Sequence, residues 1–324
     1  MVRKSRPGAA RPCRVVVVTG ASSGIGRAAA RRFARRGDCL VLAARSAADL
    51  DSVAAECIRL GGRAVAVPTD ISDEAQVQAL AQAAVGAFGR IDVWVGAASV
   101  YSYGTFEDTP PEVFRQILET NLFGQVYSAR AALARFRAQG GGVLILVGSV
   151  YSKLTTPYVS PYVASKFGLL GFAEVLRQEL HGTKGISVCT VLPSTIDTPI
   201  YQHAANYTGQ WVHPLPPVAG PGRVARRIVR LADRPRAEAV VGQLQRSFLP
   251  WHALLPQLYD RCMPPLMDAL ALRGGAVPPT AGTVFAPQAG ANGVTGGWRA
   301  GRRRLLALAA VPAVGAVLRR HWRP

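Results

Sequence analysis

The sequence predicts a doubly wound α/β fold, a parallel sheet of about seven strands with helices on both faces, in a single domain with a C-terminal extension. Three observations predict it. Short apolar runs alternate with amphipathic stretches, the first run breaks into a glycine-rich turn that opens straight into a helical pattern, and the alternation persists from residue 14 to about residue 242.

The runs Arg14–Thr19, Cys39–Ala43, Arg63–Pro68, Val93–Val95, Val143–Val147, Ile186–Val191 and Ala239–Val241 are rich in Val, Leu and Ile, as strands covered on both faces are. Between them Gly24–Arg36, Ala47–Leu60, Asp73–Phe88, Pro111–Arg137, Tyr162–His181 and Pro221–Ala232 read as helices. In the first, Ile25, Ala28, Ala29 and Phe33 share one face while Arg27, Arg31 and Arg35 share another. Gly37 and Gly61 stand where a left-handed cap ends a helix.

With 49% hydrophobic and 18% charged residues, the 324-residue chain can bury a large core. A net charge of +19 raises nucleic acid as a partner, but only four of the 38 basic residues are lysines and no basic motif interleaved with aromatics accompanies them. A compositional bias toward arginine explains the charge, and no nucleic-acid partner is expected. The five cysteines (Cys13, Cys39, Cys57, Cys189, Cys262) have no Cys-x-x-Cys spacing and are expected as reduced thiols in apolar surroundings. The five histidines show no ligand spacing, so no metal is expected. The basic residues 1–12 lack a secretory core, which places the expected fold in the cytoplasm.

Gly20, Ser22, Ser23, Gly24, Ile25 and Gly26 make up the turn after the first strand. Its glycines let backbone approach a pyrophosphate at the positive end of the helix that follows. The same residues satisfy the Gly-x-Ser-x-Gly elbow of a serine hydrolase, but only 13 residues precede Arg14, too few for the strands and oxyanion loop that come before such an elbow. The second strand ends in Ala44-Arg45, with no carboxylate for a ribose 2′-hydroxyl. A forked arginine there suits a 2′-phosphate, so NADP(H) is expected over NAD(H).

Tyr162 and Lys166 lie four apart, on one helix face. A phenol titrates near ~10, and a cation beside it favours the phenolate. By these signatures the chain resembles the short-chain dehydrogenase/reductase family over roughly residues 14–242. Thr-Gly-x-x-x-Gly-x-Gly at Thr19–Gly26 and Tyr-x-x-x-Lys at Tyr162–Lys166 are the family's two motifs, and Ser149, Asn121 and the pair Asp70-Ile71 fall where its serine, helix asparagine and adenine-contacting pair occur. The resemblance implies a Rossmann-type sheet and an oxidoreductase acting between a nicotinamide and a carbonyl or secondary alcohol. Ser149 and Tyr162 would bond the substrate oxygen, with Tyr162 the general acid/base. Lys166 would lower the tyrosine pKa and bond the nicotinamide ribose, and Asn121 would anchor a water leading to solvent. Pro193 and Thr198 would contact the nicotinamide end. An NADP(H)-binding scaffold or redox sensor is the rival, and a scaffold has no need of all four of Asn121, Ser149, Tyr162 and Lys166.

Two departures stand out. The family's Asn-Asn-Ala-Gly is Gly96-Ala97-Ala98-Ser99, without the usual side-chain support for the sheet, and its Pro-Gly is Pro193-Ser194. Residues Ser194–Pro217 (Ile200, Tyr201, Tyr207, Trp211) and the extension 246–273 (Trp251, Leu254, Leu255, Leu258, Tyr259, Met263, Leu266, Met267) are expected to wall an apolar or lipid-like substrate. The catalytic domain is expected over 13–245, followed by that extension, a mobile Gly/Pro-rich linker at 274–301 and an apolar tail at 302–324. Leu305–Leu318 is too short to span a bilayer (about 21 Å of helix against about 30 Å of hydrocarbon), so the tail either lies at an anionic membrane surface or packs on the protein. A homo-oligomer is the expected assembly.

Overall fold

Four consecutive valines and a threonine, Val15–Thr19, form a fully buried strand, β1, and everything else is arranged around it. The computed structural model describes residues 13–242, 244–288 and 292–299; the basic arm 1–12 and the tail 302–324 lie outside the described residues. From β1 the chain continues through α1 (Gly24–Ala34), β2 (Cys39–Ala44), α2 (Ala47–Arg59), β3 (Arg63–Pro68), α3 (Glu74–Phe88), β4 (Val93–Gly96) and the short β5 (Ser102–Tyr103). Then come α4 (Pro111–Leu118), a π-helical turn over Glu119–Phe123, α5 (Gly124–Gln139), β6 (Gly142–Val147), α6 (Ser160–Glu179), β7 (Ile186–Pro193), β8 (Ala205–Asn206) and β9 (Gln210–Val212). The described chain closes with α7 (Pro221–Asp233), β10 (Glu238–Val241), α8 (Leu244–Leu254), α9 (Pro256–Leu270) and β11 (Leu272–Ala276).

The seven predicted strands form one sheet in the order β10-β7-β6-β4-β1-β2-β3, all parallel. Alternate side chains of β1 feed two cores: Val16 and Val18 meet α1, α2 and α7, while Val17 meets α3, α5 and α6. The expected helix Pro111–Arg137 is broken at its middle by the π turn, which carries Asn121. Parallel pairing brings the ends of β1 (Thr19), β4 (Gly96), β6 (Val147) and β7 (Val191 onward) to one edge, where every intervening loop opens.

The structure corrects two expectations. Cys13 and Cys39 are joined in a disulfide, because pairing of β1 with β2 sets the start of both strands side by side; Cys57, Cys189 and Cys262 are free thiols. The linker expected over 274–301 is not free of the domain in its described part. β11 pairs with β9, Val284 is completely buried among Val100, Val113, Ile117 and Ala205, and Val294 packs on the core beside α1. Glycine and proline left it without a strand or helix period, yet the N–H groups of Val277, Thr280, Thr283 and Gly296 are met by the rest of the domain. Helix α9 forms despite Pro264 and Pro265, because Tyr259, Met263 and Met267 recur every four residues and bury one face. Among the described residues, no helix is long and apolar enough to cross a membrane.

Candidate active site

The glycines of the first turn are there because nothing larger fits. Gly20 holds a left-handed φ of 68°, and a Cβ on it would come within 2.6 Å of the Ala98 backbone. Gly24 also holds a left-handed φ, 53°, and a Cβ on it would come within 3.2 Å of the Thr198 side chain. The turn therefore sits tight against the loops after β4 and β7, and the start of α1 borders the cleft. One continuous cavity of about 670 Å³ begins here, lined by Gly20, Ser22, Ser23, Gly24, Ile25 and Gly26, and by Arg45, Asp70 and Ile71. It runs past Pro193 and Thr198 to Ser149, Tyr162 and Lys166. All the cofactor and catalytic candidates except Asn121 line this one space.

These residues fit a dinucleotide. Arg45 is half-buried, and burial lowers its pKa. Its guanidinium donates to the carbonyls of Val284 (3.2 Å) and Thr283, while Asp70 acts on it only at longer range. A desolvated cation held by carbonyls is short of an anion, which a phosphate would supply.

At the inner end, α6 buries Tyr162 and Lys166 together. Lys166 Nζ lies 5.3 Å from the centre of the Tyr162 ring and donates to the Val147 carbonyl at 3.2 Å. Ser149, in extended conformation at the end of the β6 loop, caps a short turn through Tyr151 N–H (3.1 Å) and hydrogen-bonds the Tyr162 hydroxyl. Burial pushes the Tyr162 phenol up to about 12, the Ser149 bond opposing it, and pushes Lys166 down to about 7. Desolvation dominates both groups, so the net direction at Tyr162 is upward with Lys166 beside it. Tyr101 packs on Tyr162 with ring centres 4.2 Å apart, and Tyr151 meets it edge-on at 6.4 Å.

Asn121 lies outside the cavity wall and is fully used within the protein. Its amide donates to Val100 O (2.9 Å) and Ser165 Oγ (3.2 Å), and its oxygen accepts from Val100 N (2.8 Å) and Ser99 Oγ (3.0 Å). It thus pins the loop after β4 to α6.

Sequence reasoning missed Gln125. It is buried one helical turn after Asn121, donates to Ala98 O at 3.0 Å, and its Oε1 occupies the space a Cβ on Gly96 would need. Gln125 therefore braces the loop at Gly96–Ser99 alongside Asn121, where the family's asparagine support is missing. The visible signal was a second amide four residues after Asn121 on one helix face. The Pro193-Ser194 departure is absorbed likewise: Gly242, φ 123°, leaves the room that the Ser194 side chain takes.

The far wall holds Ile200, Tyr201, Trp251, Tyr259, Met263, Leu266 and Met267 from the predicted set. Trp211, Leu254, Leu255 and Leu258 are exposed instead, and Tyr207 packs with Val284 away from the cavity. Tyr259 ties α9 to the active-site loop by donating to Thr155 O at 2.7 Å. Arg45, Asp49 and Asp70, the carboxylates and the arginine of the lining, stand at the Gly-turn end.

Known proteins are similar to this chain in sequence and fold. The uncharacterized oxidoreductase YxnA of Bacillus subtilis (strain 168) is 36% identical over 256 residues, 78% of this chain and 72% of that one. The L-rhamnose 1-dehydrogenase (NAD(P)(+)) of Azotobacter vinelandii is 38% identical over 192 residues, 58% of this chain and 75% of its own length. An alcohol dehydrogenase from the archaeon Thermococcus sibiricus, solved as a complex with 5-hydroxy-NADP, superposes with a TM-score of 0.64 at 26% identity, over 72% of this chain and 97% of that one. The short chain dehydrogenase family matches residues 14–207, from the first strand past the Tyr162–Lys166 helix, and the chain belongs to that family of oxidoreductases.

Proposed function

We propose that this chain is an NADP(H)-dependent reductase or dehydrogenase for an apolar carbonyl or secondary alcohol, with Tyr162 as general acid/base. The observation that carries the reading is the single cavity joining a glycine turn and a desolvated Arg45 at one end to Ser149, Tyr162 and Lys166 at the other. NADP(H), when bound, supplies or accepts the hydride. The chain's residues do the rest. Ser149 and the Tyr162 hydroxyl hold the substrate oxygen, and in reduction Tyr162 gives that oxygen its proton. Lys166 then reprotonates the phenolate side of the site, its low pKa letting it exchange a proton near neutral pH. Asn121 keeps the loop after β4 in register with α6, and Pro193 and Thr198 border the nicotinamide end. The aromatic and methionine wall favours an uncharged substrate and excludes water.

NADP(H) is preferred because Arg45 offers a half-buried cation where a 2′-phosphate would lie, and Ala44 offers no carboxylate for a bare ribose. The test is loss of nicotinamide absorbance with NADPH and NADH against a panel of hydrophobic ketones, aldehydes and alcohols. Tyr162→Phe keeps the ring and removes the proton, so turnover of any substrate found should fall at least about a hundredfold while NADPH still binds. Wild-type turnover by that variant would remove Tyr162 from the mechanism.

We also infer a homo-oligomer. Phe123, Phe167 and Val175 are 40 to 49% exposed, and Gly171 between the last two leaves open space on α6. Such a stripe is costly to leave in water, and a second copy would cover it.

A further inference from the structure

The segment after β11, beyond the residues matched by the family, returns to the mouth of the cofactor cleft. It is pinned at three stations. At the Arg45 end, the carbonyls of Thr283 and Val284 take the guanidinium, Thr283 N donates to His203 O at 2.9 Å, and the Val284 side chain is fully buried. At the glycine turn, Gly293 O accepts from Gly24 N at 3.1 Å, Asn292 O accepts from Arg27 at 2.9 Å, and the Asn292 amide donates to Asp49 at 2.8 Å. At the nicotinamide end, Asp197 accepts from the N–H groups of Gly296 (3.0 Å) and Trp298 (2.9 Å), and the Trp298 indole donates to Thr198 O at 3.2 Å.

These contacts cross the cleft from end to end. Thr283, Pro287, Gln288 and Asn292 line the same cavity as the glycine turn, so the segment roofs the space and leaves it open beneath. A segment that filled the site would have no cavity under it.

We propose that residues 281–288 and 292–298 are a clamp that completes the dinucleotide site, closing over the bound cofactor and governing its release. The proposal rests on the dinucleotide reading above. The two carbonyls orient Arg45 and leave its other N–H groups for a 2′-phosphate, which makes Thr283 and Val284 positioning residues for cofactor choice. Val284 stays buried as the fixed end, and the stretch 292–298, tied to the rim chiefly by hydrogen bonds, opens without unfolding the sheet, as active-site lids do. Cofactor exchange then waits on that opening.

The test follows NADPH fluorescence during displacement by excess NADP⁺ in stopped flow, using the full chain. Asp197→Ala frees the nicotinamide-end anchor and Asn292→Ala the turn anchor. Each should speed NADPH release at least about tenfold, with association unchanged or faster. Hydrogen exchange in the unsubstituted protein supplies a second readout that needs no variant: NADPH should slow exchange in Ala281–Gln288 and Asn292–Trp298. Release within twofold of wild type in both variants overturns the clamp. Faster exchange in these peptides on adding NADPH also overturns it, since that is the behaviour of a plug the cofactor expels. If the unsubstituted chain binds neither NADPH nor NADH, the dinucleotide reading fails and the clamp with it; binding with unaltered release defeats the clamp alone.

Discussion

Tyr162 and Lys166 share one buried environment that acts on them in opposite senses, and the consequence is a pH dependence of stability. Lys166 titrates near 7 in the folded chain against 10.5 for an ordinary lysine. Between those values the unfolded chain binds the extra proton, so stability rises with pH across that window. Tyr162 titrates near 12 against 10.0, so above about 10 the unfolded chain loses a proton that the folded one keeps, and stability falls. Thermal denaturation of the cofactor-free protein from pH 7 to 9.5 should show a rising Tm that flattens in Lys166→Met. A profile that is the same in both proteins would mean that Lys166 is charged in the folded state. Arg45 poses the other test at this scale. Its removal deletes a charge-assisted hydrogen bond worth about 1.5–3 kcal/mol. Arg45→Ala should therefore weaken NADPH at least about tenfold more than NADH in fluorescence titrations. Equal losses for both would leave the guanidinium as an anchor of the clamp and nothing more.

Among the elements, the helix broken by the π turn over Glu119–Phe123 does the bracing. It presents Asn121 and Gln125 on successive turns toward the loop after β4, so two amides hold the backbone from Ala98 to Val100. Gly96 is required by this brace, because a Cβ would strike the Gln125 oxygen. Gly96→Ala should then cost stability by overpacking, about 1–3 kcal/mol in urea denaturation. Gln125→Ala should cost about as much by leaving the Ala98 carbonyl unpaired. The double substitution should cost less than the sum, since each change removes the other's collision or its reason. Strict additivity would show that the two positions do not touch in solution.

Over the described residues, the chain encloses its cleft and still leaves apolar side chains exposed. The stripe of Phe123, Phe167 and Val175 lies on α6 and the turn before α5, away from the cavity. Phe167→Glu places a charge in the middle of that stripe, and light scattering should show a shift to monomer with the far-ultraviolet spectrum unchanged. An unaltered mass would move the assembly surface elsewhere or show a monomer from the start.

What the residues by themselves determined is whatever depends on local period and local chemistry. Seven apolar runs and the helices between them follow from patterning, and the turn at Thr19–Gly26 and the Tyr162–Lys166 pair follow from fixed short spacings. Gly20 and Gly26 could be read because a close backbone approach admits no other residue. What only the tertiary structure decided involves residues far apart in the chain. The Cys13–Cys39 disulfide depends on strand register, and the brace of Gln125 on Gly96 depends on where α5 lies against β4. The clamp depends on a stretch with no period of its own. Gly282, Gly293 and Gly296 look like linker because a segment whose hydrogen bonds go to Arg45, Gly24 and Asp197 needs no strand or helix to satisfy them. The pKa directions at Tyr162 and Lys166 were hidden for a related reason: spacing sets a cation beside a phenol, but only the packed fold removes water from both.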